Sequence, residues 1–215
     1  MNTIEKDKQY DIAEAIRLAK ANTKTKFDAT FEAHFNLGID NKKPDQSIRV
    51  STTLPNGTGK EVKVAVFASK KIKGADLELT EDDLIKIEKS EIRPKVDFDV
   101  LVAEPKYMPK LAKVARILGP AGVMPSQKSG TVTDDIEKAV HSLKQGKIEL
   151  RNEANAPIVH VMFGKVSFED NKLTENFNEI LSTLKSNRPQ KVRPETYIVS
   201  CFISTTMGPS VKVAL

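Results

Sequence analysis

The sequence predicts a mixed α/β protein built in two styles. Three observations predict it. Residues 27–37 alternate strictly between apolar and polar, the pattern of a strand with one buried face. Val62–Ala68 and Phe98–Ala103 are compact apolar runs, as in parallel strands covered on both faces. After Gly146 longer antiparallel-type strands return, with an amphipathic helix among them. The simplest account is a discontinuous α+β domain from residues 1–57 and 147–215, with an α/β domain of residues 58–146 inserted into it. Domain termini tend to lie close together, which makes such an insertion tolerable.

The elements follow in order. Asp11–Ala21 reads as a helix with Ile12, Ile16 and Ala19 on one face. Phe27, Ala29, Phe31, Ala33, Phe35 and Leu37 then alternate with Asp28, Thr30, Glu32, His34 and Asn36. Residues 40–45 are turn-like, and Ile48, Val50, Thr52 and Leu54 suggest a second strand. Residues 55–59 break the pattern with a proline and two glycines. Thr80, with Asp83 three residues on, predicts a capping box and a helix through about Ile87. Pro109 fits the first turn of another helix, with Leu111, Val114, Ala115 and Leu118 inward and Gly119 as its stop. Thr133 is expected to cap a third, with Ile136, Val140 and Leu143 inward and Gly146 at its end. Ile148–Arg151 and Ile158–Met162 read as strands flanking a turn. Leu173, Phe177, Ile180, Leu181 and Leu184 define the amphipathic helix. Tyr197–Ser204 and Val211–Val213 are the last strands. Val199, Cys201 and Ile203 form the apolar set of the longer one, opposite Ser200, Ser204 and Thr206.

A chain of 215 residues with 39% apolar content allows one or two domains with a real core. Its formal charge of +5 is compatible with an anionic partner. The distribution of charge says more. Lys106, Lys110, Lys113, Arg116 and Lys128 lie in a stretch, 105–133, without Asp or Glu. Lys185, Arg188, Lys191 and Arg193 lie in another. Such patches bind phosphates, although solvated lysines are an equal reading of each alone. The single cysteine, Cys201, sits among apolar residues and reads as a core residue. No apolar run reaches the ~18 residues of a membrane span, and the polar, acid-bearing start 1–8 does not read as a signal peptide. A cytoplasmic setting and no membrane association are expected.

Catalytic signals are weak. Gly119-Pro120-Ala121-Gly122 is similar to a phosphate loop, but it follows a predicted helix rather than a strand. Neither G-x-G-x-x-G nor G-x-x-x-x-G-K-S/T occurs. His34, His141 and His160 lie far apart, with no Cys/His metal spacing. A nucleotide-dependent enzyme on the inserted α/β domain is the alternative reading. The expectation is no enzyme, no catalytic residue, no cofactor and no metal.

The most informative segment is Ser204-Thr205-Thr206-Met207-Gly208-Pro209-Ser210-Val211-Lys212-Val213. Hydroxyls, a glycine and a proline crowd one strand junction there, a composition that suits either an ordinary turn or close contact with RNA 2′-hydroxyls and phosphates. If this strand neighbours the first, Thr30, Glu32 and His34 join Ser200, Ser204 and Thr206 in one polar surface. The segment resembles the C-terminal signature of the L-one family of large-subunit ribosomal proteins, the proteins of the mobile ribosomal stalk. Other blocks match in the family's order. They are Lys26-Phe27-Asp28, Leu37-Gly38-Ile39-Asp40, Pro44-Asp45-Gln46, Leu54-Pro55-Asn56-Gly57-Thr58-Gly59-Lys60, Ile117 to Pro125, Gly130-Thr131-Val132 and Gly164 to Phe168.

The resemblance implies a terminal domain with a split β-α-β, its antiparallel sheet backed by helices on one side, and an inserted three-layer Rossmann-like domain. It implies binding to large-subunit rRNA, and a role in releasing deacylated tRNA from the exit site. It also implies repression of its own operon mRNA and a monomer when free, ribosome-associated in the cytoplasm. Lys26, Phe27, Thr30, Glu32, Ser200, Thr206, Met207 and Gly208 match the family's rRNA-contacting positions. Lys106, Lys110, Lys113 and Arg116, spaced for one side of a helix, are candidates to face tRNA. Gly57, Gly59 and Gly146 would form a hinge. Parity, in contrast, puts Phe27 on the core face. The chain departs from the family pattern at Val50, where a glycine is usual, and in a shortened segment, Ser69–Leu79.

Overall fold

A computed structural model of the chain describes every residue except 1–3, 6, 7, 71, 73, 90, 128 and 154, and the backbone alone at 44. In chain order its elements are α1 (Ile12–Ala21), β1 (Thr30–Leu37), β2 (Arg49–Thr53), β3 (Val64–Phe67), β4 (Leu77–Glu78), α2 (Glu81–Glu88), β5 (Val100–Ala103) and α3 (Met108–Leu111). They continue with α4 (Ala115–Leu118), α5 (Ile136–Lys144), β6 (Lys147–Arg151), β7 (Ile158–Lys165), α6 (Asp170–Ser186), α7 (Pro194–Tyr197), β8 (Ile198–Thr205) and β9 (Val211–Val213). The chain separates into two compact units: the residues up to Gly59 with Ile148–Leu215, and Lys60–Lys147.

In the first unit, β7-β1-β8-β9 form an antiparallel sheet. Strands β7 and β8 both run against β1 and lie on either side of it, and α6 lies between them in the chain. That is a split β-α-β. Period-two alternation puts Phe31, Ala33, Phe35 and Leu37 on one face, all essentially inaccessible to solvent. They pack with Val159 and Phe163 of β7, Cys201 and Ile203 of β8, Ile16 and Ala19 of α1, and Leu173, Phe177, Ile180 and Leu184 of α6. Phe163 and Phe177 stand edge to face at 5.8 Å, and Phe35 stacks on Phe177 at 5.7 Å. Each buried phenylalanine contributes about 2–3 kcal/mol of burial free energy. The Asp11 carboxylate caps α1 by accepting from the Ala13 N–H.

Asn176 of α6 is fully buried with its amide satisfied. It accepts from the Asn56 N–H at 3.0 Å and donates to the carbonyls of Gly57 (2.9 Å) and Phe163 (2.8 Å). This pins the end of the segment after β2 onto α6. Strand β2 pairs with β6 in a separate two-stranded sheet.

The second unit holds a parallel sheet, β4-β3-β5. All four residues of β3 are buried, as its unbroken apolar run requires. Ala65, Phe67, Leu101 and Ala103 pack with Leu84 and Ile87 of α2 and with Leu111, Val114 and Leu118. Val64, Val66 and Val102 pack with Ile136, Ala139, Val140 and Leu143 of α5. Both faces are therefore covered by helices.

Several expectations are corrected. The first strand starts at Thr30, not Phe27, and Phe27 is exposed. Val199 is exposed rather than in the core, because the β1/β8 register shifts between Asn36 and Leu37, which face Ser200 and Ile198 and leave Val199 as the extra residue. Residues 105–118 do not form one helix but short α and 3₁₀ pieces. Pro109 sits in the first turn of α3 as expected, but the helix expected to run on to Leu118 is interrupted by a 3₁₀ turn at Ala112–Val114. Helix α5 takes Asp135, not Thr133, as its N-cap residue; the Thr133 hydroxyl instead accepts from the Asp135 N–H. The Thr80–Asp83 capping box forms as expected: the Asp83 carboxylate accepts from the Thr80 N–H at 2.9 Å, and the Thr80 hydroxyl also donates to it at 2.7 Å.

Candidate nucleic-acid interface

The face of β1 away from the helices carries Glu32, His34 and Asn36. Register sets their neighbours. Glu32 lies between Met162 and Ser204, His34 between His160 and Phe202, and Asn36 between Ile158 and Ser200. No helix of the first unit covers this side, so its side chains are exposed or half-exposed.

The end of the face near Thr30 is built by the β8 terminus. The Thr206 N–H donates to the Thr30 carbonyl at 3.0 Å, and the Thr30 N–H donates to Thr206 Oγ1 at 3.1 Å. The Thr206 hydroxyl itself donates to the Thr30 carbonyl, a long bond at 3.4 Å. Lys165 Nζ donates to Thr30 Oγ1 at 2.6 Å and adds a cation to the same edge. Thr205 points inward, 3% exposed, and shares a hydrogen bond with Thr23 Oγ1 at 2.8 Å. The chain then turns sharply, with the Gly208 N–H donating to the Thr205 carbonyl at 2.7 Å. A Cβ on Gly208 would stand 2.1 Å from Thr205 Oγ1, so only glycine fits. Met207 takes a left-handed backbone, φ 63°, and projects its side chain 89% exposed. An exposed, unbranched thioether on a strained tip is an apolar probe held out to solvent.

Of the residues expected at an RNA site, Lys26 and Phe27 lie exposed in the segment leading into β1. Phe27, at 58%, is the second large apolar side chain at this end, and Met162, at 39%, is a third. Thr30, Glu32, Thr206, Met207 and Gly208 gather at the same end of the sheet. Ser200 shares the open face but sits opposite Asn36, six residues back along β8 from Thr206, roughly 20 Å away. His160, Met162 and Lys165 were missed by sequence reasoning. The only signal for them was the polar parity of Ile158–Lys165, which says nothing about which strand they neighbour.

In the second unit, the candidate basic residues fall on different pieces of the broken helix. Lys106 pairs with Glu104 at 2.7 Å, and Lys110 pairs with Glu81. Both ammonium groups stand over the Tyr107 ring, at 5.0 and 5.5 Å. Lys113 and Arg116 are exposed. Lys128 lies outside the described residues. In the second basic stretch, Lys191 pairs with Asp45 at 2.7 Å. Gly57, Gly59 and Gly146 all take positive φ. Burial pushes the Cys201 thiol up to about 12, which suits a core residue and not a nucleophile.

A family model described as the ribosomal protein L1p/L10e family matches residues 18–209. The chain belongs to this family. Similar proteins named large ribosomal subunit protein uL1 match along nearly the whole chain. The one from Mesoplasma florum is 46% identical over 99% of this chain and 93% of its own length. That from Prochlorococcus marinus subsp. pastoris is 44% identical over 99% and 91%. That from Mycoplasma capricolum subsp. capricolum is 44% identical over 99% and 94%. The L1p/L10e family is one of structural ribosomal proteins, and the nucleotide-dependent enzyme is set aside.

Proposed function

We propose that the protein is a structural constituent of the large ribosomal subunit, in the cytoplasm, and that the open sheet face is its seat on large-subunit rRNA. The observation that carries this reading is the junction of Thr30 and Thr206. Two distant segments meet there to hold a hydroxyl, a carboxylate and exposed apolar tips side by side, with a cation at the edge. A folded RNA strand offers the complementary groups: 2′-hydroxyls, base edges, sugar faces and phosphates. Lys26 binds phosphate, and Phe27 packs on a sugar or base. Thr30, Ser200 and Thr206 bond 2′-hydroxyls or base edges, and Glu32 accepts from base donors. Met207 and Gly208 lie flush on the minor groove.

In this reading residues 1–57 and 147–215 act as the rRNA-binding domain, and 58–146 act as an inserted three-layer α/β domain hinged at Gly57, Gly59 and Gly146. The inserted domain assists release of deacylated tRNA from the exit site through Lys106, Lys110, Lys113 and Arg116. Lys113 and Arg116 are the better placed, because Lys106 and Lys110 must first exchange their carboxylate partners. The free monomer binds its own operon mRNA where that RNA presents the same shape, and so represses translation. Crosslinking with RNA sequencing from intact cells tests all three partners together. Large-subunit rRNA crosslinked near Phe27 and Met207 is the expected result. Crosslinks confined to unrelated RNA overturn it.

A further inference from the structure

His34 and His160, 126 residues apart in the chain, face each other across β1 and β7. Their Nδ1 atoms are 2.7 Å apart, with the rings edge to face at 4.9 Å. His34 Nε2 lies 3.1 Å from Ser204 Oγ, and His160 Nε2 lies 3.4 Å from Glu153 Oε1. Both histidines stand on the open face, two residues along β1 from Glu32.

The contact limits how many protons the pair can hold. An imidazole Nδ1 is either an N–H donor or a lone-pair acceptor. At 2.7 Å one ring must donate and the other accept. The closed pair is therefore complete when both rings are neutral, or when one alone is cationic. A second proton sets two N–H groups head to head, and the rings must part. Parted, they present two cationic donors to one point, the arrangement that holds an anionic oxygen.

We propose that the His34–His160 pair is a proton-gated phosphate contact: closed in the free protein, it opens on double protonation to bind a backbone phosphate oxygen of RNA. The inference rests on the open face being the RNA seat, and it adds a contact that no match to the family's positions supplied. The charged groups around the pair come from several elements. Burial first, and then the His160 imidazole, hold His34 below the ordinary histidine range, with Glu32 opposing. Glu153, on the segment before β7, places a carboxylate oxygen 3.4 Å from His160 Nε2, and Arg151 of β6 lines the same cavity as His160. Lys212 of β9 lies beyond Phe202, one strand further off. Ser204 of β8 is neutral and serves either tautomer. A phosphate supplies the negative charge that makes the second proton favourable. Binding therefore takes up a proton, and affinity must rise as pH falls.

The test is filter binding of the full chain to a large-subunit rRNA stalk fragment at fixed ionic strength, from pH 8.0 to 6.0. Uptake of one proton predicts affinity rising by up to about tenfold per pH unit, so roughly tenfold to a hundredfold over this range. His34→Gln and His160→Gln each flatten the profile. His160→Lys, with its fixed charge, also flattens it and guards against a folding artefact. In the complex at pH 7, both imidazoles give the NMR signals of imidazolium. A wild-type affinity that ignores pH, or a slope that survives His160→Gln, defeats this proposal alone. Absence of RNA binding at every pH defeats the RNA reading and this proposal with it.

Discussion

In the first unit, helices back the sheet on one side and leave the other to solvent, so Glu32, His34, Ser200 and Ser204 stand on strands at fixed two-residue spacing. In the second unit, helices cover the sheet on both faces, and β3 and β5 show almost nothing to solvent. Its candidate basic residues, Lys106, Lys110, Lys113 and Arg116, stand instead on short, broken helical pieces, and Lys106 and Lys110 are already paired to carboxylates. The difference teaches where each unit can meet a partner. The first offers a rigid, strand-borne surface with shape. The second offers charge, which is screened by salt and carries little shape.

The comparison breaks most readily in the two cores. Phe35→Ala empties the space against Phe177 and costs about 3–5 kcal/mol, and it lowers RNA affinity because it distorts β1. Leu101→Ala in the covered sheet costs about 2–5 kcal/mol of stability yet leaves rRNA affinity within about twofold. Denaturant melts paired with filter binding check both. An equal loss of rRNA affinity in the two variants would end the division of labour.

A smaller effect is expected on the charged side. Lys110→Glu combined with Lys113→Glu weakens tRNA contact on reconstituted ribosomes about fivefold to tenfold at low salt. Binding to rRNA should not change. Unchanged tRNA affinity counts against the role given to the second unit.

Smaller still is the α2 cap. Lys86 foremost, and then the Thr80 hydroxyl and N–H, pull the Asp83 carboxyl down to about 2, from 3.8. A depressed carboxyl contributes stability above its unfolded value, and this contribution is lost as pH falls through its folded one. Asp83→Asn should therefore cost about 1 kcal/mol at pH 7, mostly through the capping box, since the Lys86 pair is largely exposed. The gap to wild type should close by about pH 2 in denaturant titrations.

The smallest effect sharpens the view of the first core. Among the described residues the buried Tyr197 hydroxyl has no hydrogen-bond partner, and burial holds it up at about 12. Removing an unsatisfied hydroxyl frees the fold of a desolvation cost, so Tyr197→Phe should be neutral or stabilising by up to about 1 kcal/mol. A clear loss of stability would reveal a partner for that hydroxyl.

What could be read from the sequence was whatever depends on near neighbours. The alternation of Phe31, Ala33, Phe35 and Leu37 and the capping box at Thr80 are local patterns, and both formed. Position Val199 could not be read, because its exposure depends on a register shift against Asn36 and Leu37, some 160 residues away. The His34–His160 contact was hidden for the same reason: β7 becomes the neighbour of β1 only when the sheet assembles. Phe27 misled because alternation continues in the sequence before the strand begins. The 3₁₀ interruption at Ala112–Val114 could not be read, because apolar spacing at Leu111, Val114 and Leu118 fits a single helix. The Thr206–Met207–Gly208 cluster was found by composition and resemblance. Its geometry, with Thr205 as the buried peg behind it, was not.

One measurement bears most directly on the open sheet as the RNA seat: filter binding of Thr206→Val, Met207→Asp to the rRNA stalk fragment at fixed salt and pH 7.5. Losing the Thr206 hydroxyl and placing a carboxylate against RNA should lower affinity about a hundredfold or more, some ~3 kcal/mol, while the lost acceptor of the Thr30 N–H costs only about 1 kcal/mol of stability and leaves the protein folded. Wild-type affinity in this folded double variant would contradict the account.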